Sequence, residues 1–469
     1  MRKGVRDKME NENKFDAIIV GAGPSGITAA YIMAKAGLEV ALLERGAYPG
    51  SKNIFGGVLF TPVLNRIIPN FWEEAPIERH MKGIEIFLVS ETNGVSFGIQ
   101  SEDHNKPPYN NSFTVSRAKF DQWYAGKAEE VGAFLLTNTV VDDLLWEDGR
   151  VVGVKARGDE GELYADVVII AEGTNSLLTQ KAGLRGKYFP RQVSVGMKEI
   201  IELPREVIED RFHLSGNEGV ELKYIAGDAT SGIWGGGNIY TNQESLSVVV
   251  WLALQPLADK KIKITDVMEH FKAHPMVRNY IKGGKTVEYQ AHLAPDGGYD
   301  NTPRYYTGGL LVVGDAARFL NASIHYEGTN FAMASGEAAA ETVIEAKKKG
   351  DFSAKALSHY QKLLNKSFVM KDLKRYRKMN RFAEDNPEFF DAYSKAMTQM
   401  AVDYFSINEL PKRQQEMMLL KKAGLALTRF NINDLPTLHP QNRISRAFNR
   451  AFPLVRFIWQ GIKGGWSAL

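Results

Sequence analysis

Cysteine is absent from all 469 residues. That absence excludes disulfides, cysteine nucleophiles, cysteine-ligated zinc and any iron–sulfur cluster held by thiolates of this chain. It also excludes a prosthetic group attached through cysteine. No apolar run reaches the roughly 18 residues that a membrane-spanning helix needs. The longest candidate, residues 248–254, reads as a strand. The first 14 residues are charged and carry no apolar stretch, so no secretory leader is expected. What is present is ordinary for a folded protein: 44% hydrophobic and 24% charged residues argue against wholesale disorder. At roughly 150 residues per domain the length suggests about three domains. The expected location is the cytoplasm, peripheral on the inner face of the cell membrane.

The net charge of +3 is unevenly placed. Residues 441–469 hold five basic side chains (Arg443, Arg446, Arg450, Arg456, Lys463) and no acidic one. The other 440 residues carry 53 basic against 55 acidic side chains. A basic tail of this kind faces anionic surfaces. Phe448, Phe452, Val455, Trp459 and Ile462 follow helical spacing, so the tail is expected to lie in a membrane interface as two short helices, with Pro453 in the first turn of the second.

The first motif opens near the N-terminus. Phe15–Val20 is a short apolar run of the buried parallel-strand type. It enters Gly21-Ala22-Gly23-Pro24-Ser25-Gly26, and an alanine-rich helix is expected over 27–36, stopping at Gly37. A second strand, 38–43, ends at Glu44, which stands 23 positions after Gly21. This is a dinucleotide fingerprint in its strand–turn–helix–strand setting. Gly21 permits the tight turn, Gly23 lets the backbone approach a pyrophosphate, and Gly26 lets the helix pack close to the strand. The helix start offers free N–H groups to phosphate. Glu44 is placed to accept from ribose hydroxyls. The motif alone does not separate NAD from FAD.

Three later segments favour FAD. Ser116 and Arg117 open a helix expected through Ala133. A buried strand is expected at 166–171, followed by Glu172-Gly173-Thr174. A third strand, 310–313, ends in Gly314-Asp315-Ala316-Ala317, and an alanine-rich helix follows over 328–345. A return to the same fold about 290 residues after the first glycine suits a long cofactor whose ribityl and ring parts extend beyond the first unit.

With these motifs the chain resembles the FAD-binding fold shared by aromatic hydroxylases, geranylgeranyl reductases and electron-transfer-flavoprotein:quinone oxidoreductases. Within it the similarity is to FixC-type flavoproteins. Gly56-Gly57-Val58-Leu59, Ile67-Ile68-Pro69-Asn70-Phe71, residues 116–130, Trp234 through Tyr240, residues 367–378 and the closing Gly464-Gly465-Trp466 carry it. The resemblance implies that Arg117 contacts the cofactor near its pyrophosphate. It places Gly314 and Asp315 on the pyrophosphate and ribityl region, and Gly328, Thr329 and Asn330 at the flavin ring edge. Gly235 and Gly236 match a glycine pair that approaches the quinone head in the quinone oxidoreductases; a bulge or tight bend in a sheet is the alternative reading. No catalytic acid–base group and no metal ligand set is expected.

The resemblance also implies partners. Mitochondrial relatives carry a C-terminal ferredoxin-like part with an iron–sulfur cluster, which a chain without cysteine cannot hold. A separate small ferredoxin-like iron–sulfur subunit is then expected, together with electron-transfer flavoprotein subunits, membrane quinone and a membrane surface. Nucleic acid is not expected. The competing readings are a geranylgeranyl or prenyl-lipid reductase and a non-redox, flavin-bound membrane assembly subunit.

The fold class expected is α/β: a discontinuous Rossmann-like FAD-binding domain (14–100, 113–185, 296–349), an antiparallel substrate domain (186–295) and a helical C-terminal region (351–469). Residues 366–381 hold seven basic side chains and one acidic one, Asp372, which reads either as a solvated face or as a surface for an acidic partner or lipid heads. His270 and His274 are spaced as a metal pair, but no third ligand is evident, and structural roles are expected.

Overall fold

The computed structural model describes residues 14–427, apart from 54, 56, 159, 160, 297 and 324. The expected tail helices at 441–469, and Gly56 of the resemblance, lie outside the described residues. The chain divides into two compact units, Met1–Lys395 and a second from Ala396. In the second, Gln415 in the first turn of the helix Lys412–Leu427 donates from its side chain to the carbonyls of Asp403 and Ser406 at 2.5 and 3.1 Å.

The first unit is built on two sheets. In one, the strands Phe134–Leu136, Val40–Leu43, Phe15–Val20, Glu162–Ile170 and Leu310–Val312 run parallel in that order. Their centres are continuous Val, Ile, Leu and Ala, as a sheet covered on both faces requires. Tyr306–Thr307 closes one edge antiparallel, and the hairpin Val141–Glu147 with Arg150–Ala156 extends from the start of Glu162–Ile170. The helix Pro24–Lys35 begins directly after the glycine turn, with proline in its first turn. The 21-residue helix Thr329–Lys349 lies against it. Gly336 makes that contact possible, since a Cβ there would stand 2.2 Å from the Ser25 carbonyl oxygen.

The second sheet has the order Lys285–Pro295, Val193–Glu202, Ser245–Ala253, Gly235–Thr241, Glu218–Gly227, Ile77–Val89, Ser112–Val115 and Val58–Phe60, with Gly94–Gln100 also paired to Ile77–Val89. This differs from the sequence expectation in two ways. Val58–Phe60, Ile77–Val89, Gly94–Gln100 and Ser112–Val115 belong to this sheet, although the segments 14–100 and 113–185 were expected in the nucleotide-binding part. The sheet is also mixed, because Glu218–Gly227 pairs parallel with Ile77–Val89. The reason is connectivity: a parallel pair needs a long crossover, and here four strands of the nucleotide-binding sheet, from Phe134–Leu136 to Glu162–Ile170, lie between the two. One face of this sheet packs on the helix Ile264–Ala273 through Val267, Met268 and Phe271. His270 and His274 belong to that support. His270 contacts the Asp228 carboxylate at 2.6 Å, and His274 bonds the Ser90 carbonyl at 2.8 Å and accepts from the Met276 N–H. Among the described residues no group of three or more His, Cys, Asp or Glu could hold a metal, and no helix is long and apolar enough to cross a membrane.

Candidate functional site

A cavity of about 790 Å³ opens where the carboxyl ends of the parallel strands meet the second sheet. Its size is that of a cofactor pocket. The glycine turn forms one wall, and each glycine has a distinct reason. Gly21 has φ +110°, and a Cβ there would stand 2.3 Å from the Ala171 carbonyl oxygen. At Gly26 a Cβ would stand 2.0 Å from the Gly21 carbonyl oxygen, so the helix could not approach the turn. Gly23 is different: no atom lies within 4 Å of its Cβ position, and the residue borders the cavity. Space left open beside a helix start is a cradle for phosphate.

Glu44 borders the same wall. Its Oε2 accepts the Ala22 N–H at 3.1 Å and its Oε1 accepts the Gly46 N–H at 2.6 Å, which ties the second strand's end to the glycine turn. Each carboxylate oxygen retains a lone pair for a ribose hydroxyl.

Arg117 lies at the cavity, but its fork is turned onto protein. Nε and Nη2 donate to the two Asp121 oxygens at 2.8 and 2.7 Å, and Nη1 donates to the Phe55 carbonyl at 2.8 Å. The pair is almost wholly buried, with side-chain exposures of 4% and 2%. Three of the five guanidinium N–H groups are used in this way, leaving two for a ligand. Sequence reasoning missed Asp121; its signal is its position four residues after Arg117 on one helix face.

Gly314 and Asp315 end the last parallel strand. Gly314, at φ +60°, donates its N–H to the Ser335 hydroxyl at 2.9 Å. Asp315 borders the cavity and accepts from the Thr174 hydroxyl at 3.3 Å. Burial pushes its carboxyl above the usual carboxylate range, against the opposing pull of Thr174 and the Arg117 charge. Gly328 and Thr329 border the cavity at the start of the long helix. Asn330 does not: its side chain turns inward, where its buried Oδ1 has no hydrogen-bond partner among the described residues.

The second sheet forms the facing wall. His292, Gly196, Trp251 and Gly236 are successive register partners across it. Tyr326 stacks on Trp251 with centroids 4.4 Å apart, and Phe55 lies 5.9 Å from His292. Burial, with Arg45 and Arg117 nearby, holds His292 below the ordinary imidazole range. Gly235 and Gly236 do not themselves border the cavity. The Gly236 Cβ position stands 2.9 Å from Trp251 Nε1, and that of Gly235 2.0 Å from the Trp251 carbonyl oxygen. Gly236 makes room for the indole, Gly235 for the backbone of the neighbouring strand, and the indole makes the wall. Sequence reasoning missed Trp251, His292 and Tyr326; only the two-residue alternation of the strands would have put Trp251 and His292 on one face.

Two helix starts, an open glycine cradle, a ribose-type carboxylate and a second acidic turn spread along one elongated cavity fit a dinucleotide with a long ribityl arm. The comparisons agree. Residues 1–83 match the family model described as the Thi4 family. The chain is 42% identical over 413 residues to Protein FixC of Bradyrhizobium diazoefficiens, covering 87% of this chain and 94% of that protein. It is 42% identical over 418 residues to Protein FixC of Escherichia coli K12, covering 88% and 96%. Among solved structures, a geranylgeranyl bacteriochlorophyll reductase-like protein from Thermoplasma acidophilum superposes with TM-score 0.68 at 21% identity, covering 89% of this chain and 98% of that one. The flavin-dependent brominase Bmp2 gives 0.61 at 18%, covering 95% and 99%. The fold is thus that of flavin-dependent enzymes, and the cofactor of this cavity is FAD. With identity sustained through nearly nine-tenths of its length, the chain belongs to the FixC family of flavoproteins.

Proposed function

We propose that this chain passes electrons from an electron-transfer flavoprotein, by way of a separate small ferredoxin-like iron–sulfur subunit, to membrane quinone. The observation that carries the reading is the wall of flat side chains, Trp251 with Tyr326 stacked on it and His292 beside Phe55, facing the FAD cavity. Planar aromatic faces suit a planar ring. The absence of cysteine supports a partner that brings the cluster. The basic aromatic tail at 441–469 supports attachment to the inner face of the membrane, where quinone is met.

FAD supplies one- and two-electron redox chemistry when bound. The chain's own residues do the rest. Thr329 stands at the positive end of a 21-residue helix, which favours negative charge developing beside it. His292 adds a flat ring whose protonation is disfavoured by burial and by Arg45 and Arg117 nearby. Trp251 and Tyr326 exclude water.

The wall can be tested at Gly236. A valine there would press on Trp251 Nε1 and on the Tyr224 carbonyl, since even its Cβ position lies 2.9 and 3.2 Å from them. Overpacking of this kind costs about 1–3 kcal/mol, and the indole is displaced towards the cavity. The Gly236→Val protein is expected to keep stoichiometric FAD, while reoxidation of its reduced flavin by a quinone analogue slows by about tenfold or more. Reoxidation at the wild-type rate would remove the wall from the account.

A further inference from the structure

We propose that the outer face of residues 366–378 is the docking surface for the acidic protein that delivers electrons, an inference that rests on the electron-carrier reading above. The helix Phe368–Arg375 buries Val369, Met370 and Leu373, and Phe368 packs on Phe331 with ring centroids 5.5 Å apart. Its other face is exposed and basic: Lys371, Lys374 and Arg375, continued by Lys378. Among the described residues Lys371, Arg375 and Lys378 make no ion pair. The surface is held in place from below. Arg377 pairs with Asp300 at 2.8 Å, and the Tyr299 ring lies under Lys374 and Arg377 at 5.3 and 5.8 Å.

The position of this face is what singles it out. Leu373, Tyr376 and Met379 line a small crevice together with Leu320, and Leu320 also lines the FAD cavity. One side-chain layer therefore separates the basic helix from the cofactor site. Further along the same loop, His325 contacts Tyr376 with ring centroids 6.3 Å apart, while Tyr326 faces the cavity. A carrier protein docked here would stand close to the flavin site without opening the cavity. Uncompensated charge of one sign speeds the encounter of an oppositely charged protein and orients it. A lipid surface fits less well. A helix that binds in a membrane interface inserts its apolar face, and this helix has already buried that face in the protein.

The test uses the full-length, FAD-loaded protein and a small acidic ferredoxin, chemically reduced beforehand, as the electron donor. Flavin reduction is followed by rapid mixing at low and high salt. The variant Lys371→Glu/Arg375→Glu/Lys378→Glu is expected to lower the second-order rate at low salt by about tenfold or more, the scale of electrostatic steering. The corresponding glutamine variant should fall between, and salt should slow only the wild type strongly. Photoreduction of the flavin and its reoxidation by a quinone analogue should be unchanged in both variants, as should sedimentation with anionic liposomes. An unchanged rate with ferredoxin overturns the proposal. Loss of liposome binding without loss of rate overturns it in favour of lipid. A wild-type protein that ferredoxin does not reduce, but whose reduced flavin the quinone analogue still reoxidises, also overturns it and leaves the quinone reading standing.

Discussion

Replacing Gly23 with glutamate is expected to give a folded protein without flavin. Gly23 has φ −88°, an ordinary conformation for any residue, and no atom lies within 4 Å of its Cβ position. The side chain therefore meets no protein; it meets the space where the cofactor phosphates belong. A carboxylate about 4 Å from a phosphate charge costs roughly 4 kcal/mol at an effective dielectric near 20, about a thousandfold in affinity. The apoprotein should keep its stability within about 0.5 kcal/mol, as surface substitutions do. Gly26→Val is the contrast. Its Cβ would stand 2.0 Å from the Gly21 carbonyl oxygen, so the glycine-turn helix must lift from the sheet and the fold itself suffers. Fluorescence titration with FAD and thermal melting of both variants separate the two outcomes. Tight FAD binding by Gly23→Glu would mean that the phosphates lie elsewhere.

Removing Arg117 should have the largest effect on stability. Its partner, Asp121, is buried and accepts two of its N–H groups, at 2.8 and 2.7 Å. Arg117→Met strands a carboxylate inside the protein, and breaking such a pair costs about 3–5 kcal/mol. The double variant Arg117→Met/Asp121→Leu leaves no uncompensated charge, and buried pairs replaced by apolar residues of similar volume are commonly neutral. It should therefore recover most of the lost stability while losing the two guanidinium N–H groups that remain for the cofactor. Urea denaturation of wild type, both single variants and the double gives the coupling directly. A double variant as unstable as Arg117→Met alone would show that the arginine acts through its packing and the Phe55 carbonyl rather than through Asp121.

The difference between what was legible and what was not follows from the range of each interaction. The glycine turn is a local device: three glycines and a strand–helix change within about ten residues specify it, and the strand Phe15–Val20 stands where the pattern placed it. The later strands at Glu162–Ile170 and Leu310–Val312 were readable for the same reason, as short apolar β-branched runs, with ends shifted by a few residues. The second sheet was not. Its partners come from opposite ends of a long insertion, and nothing local in Ile77–Val89 announces a parallel neighbour at Glu218–Gly227. The cavity wall suffered likewise. Gly235 and Gly236 stood out as glycines, but the purpose of Gly236 lies in its partner Trp251 on the neighbouring strand, whose indole needs the space, and Gly235 yields to that strand's backbone. Asp121 has the right spacing from Arg117 but an ordinary appearance on a helix, and the buried two-point hydrogen bonding shows that it fixes Arg117.

The central claim is that reduced flavin in this chain gives its electrons to quinone, and single-turnover reoxidation tests it most directly. The FAD-loaded protein is photoreduced without oxygen and mixed with a water-soluble quinone analogue, and the oxidised flavin bands are followed in the visible spectrum. Full return of those bands is expected, at a rate that rises in proportion to quinone concentration. Bands that stay bleached with quinone for as long as they do in buffer alone would contradict it.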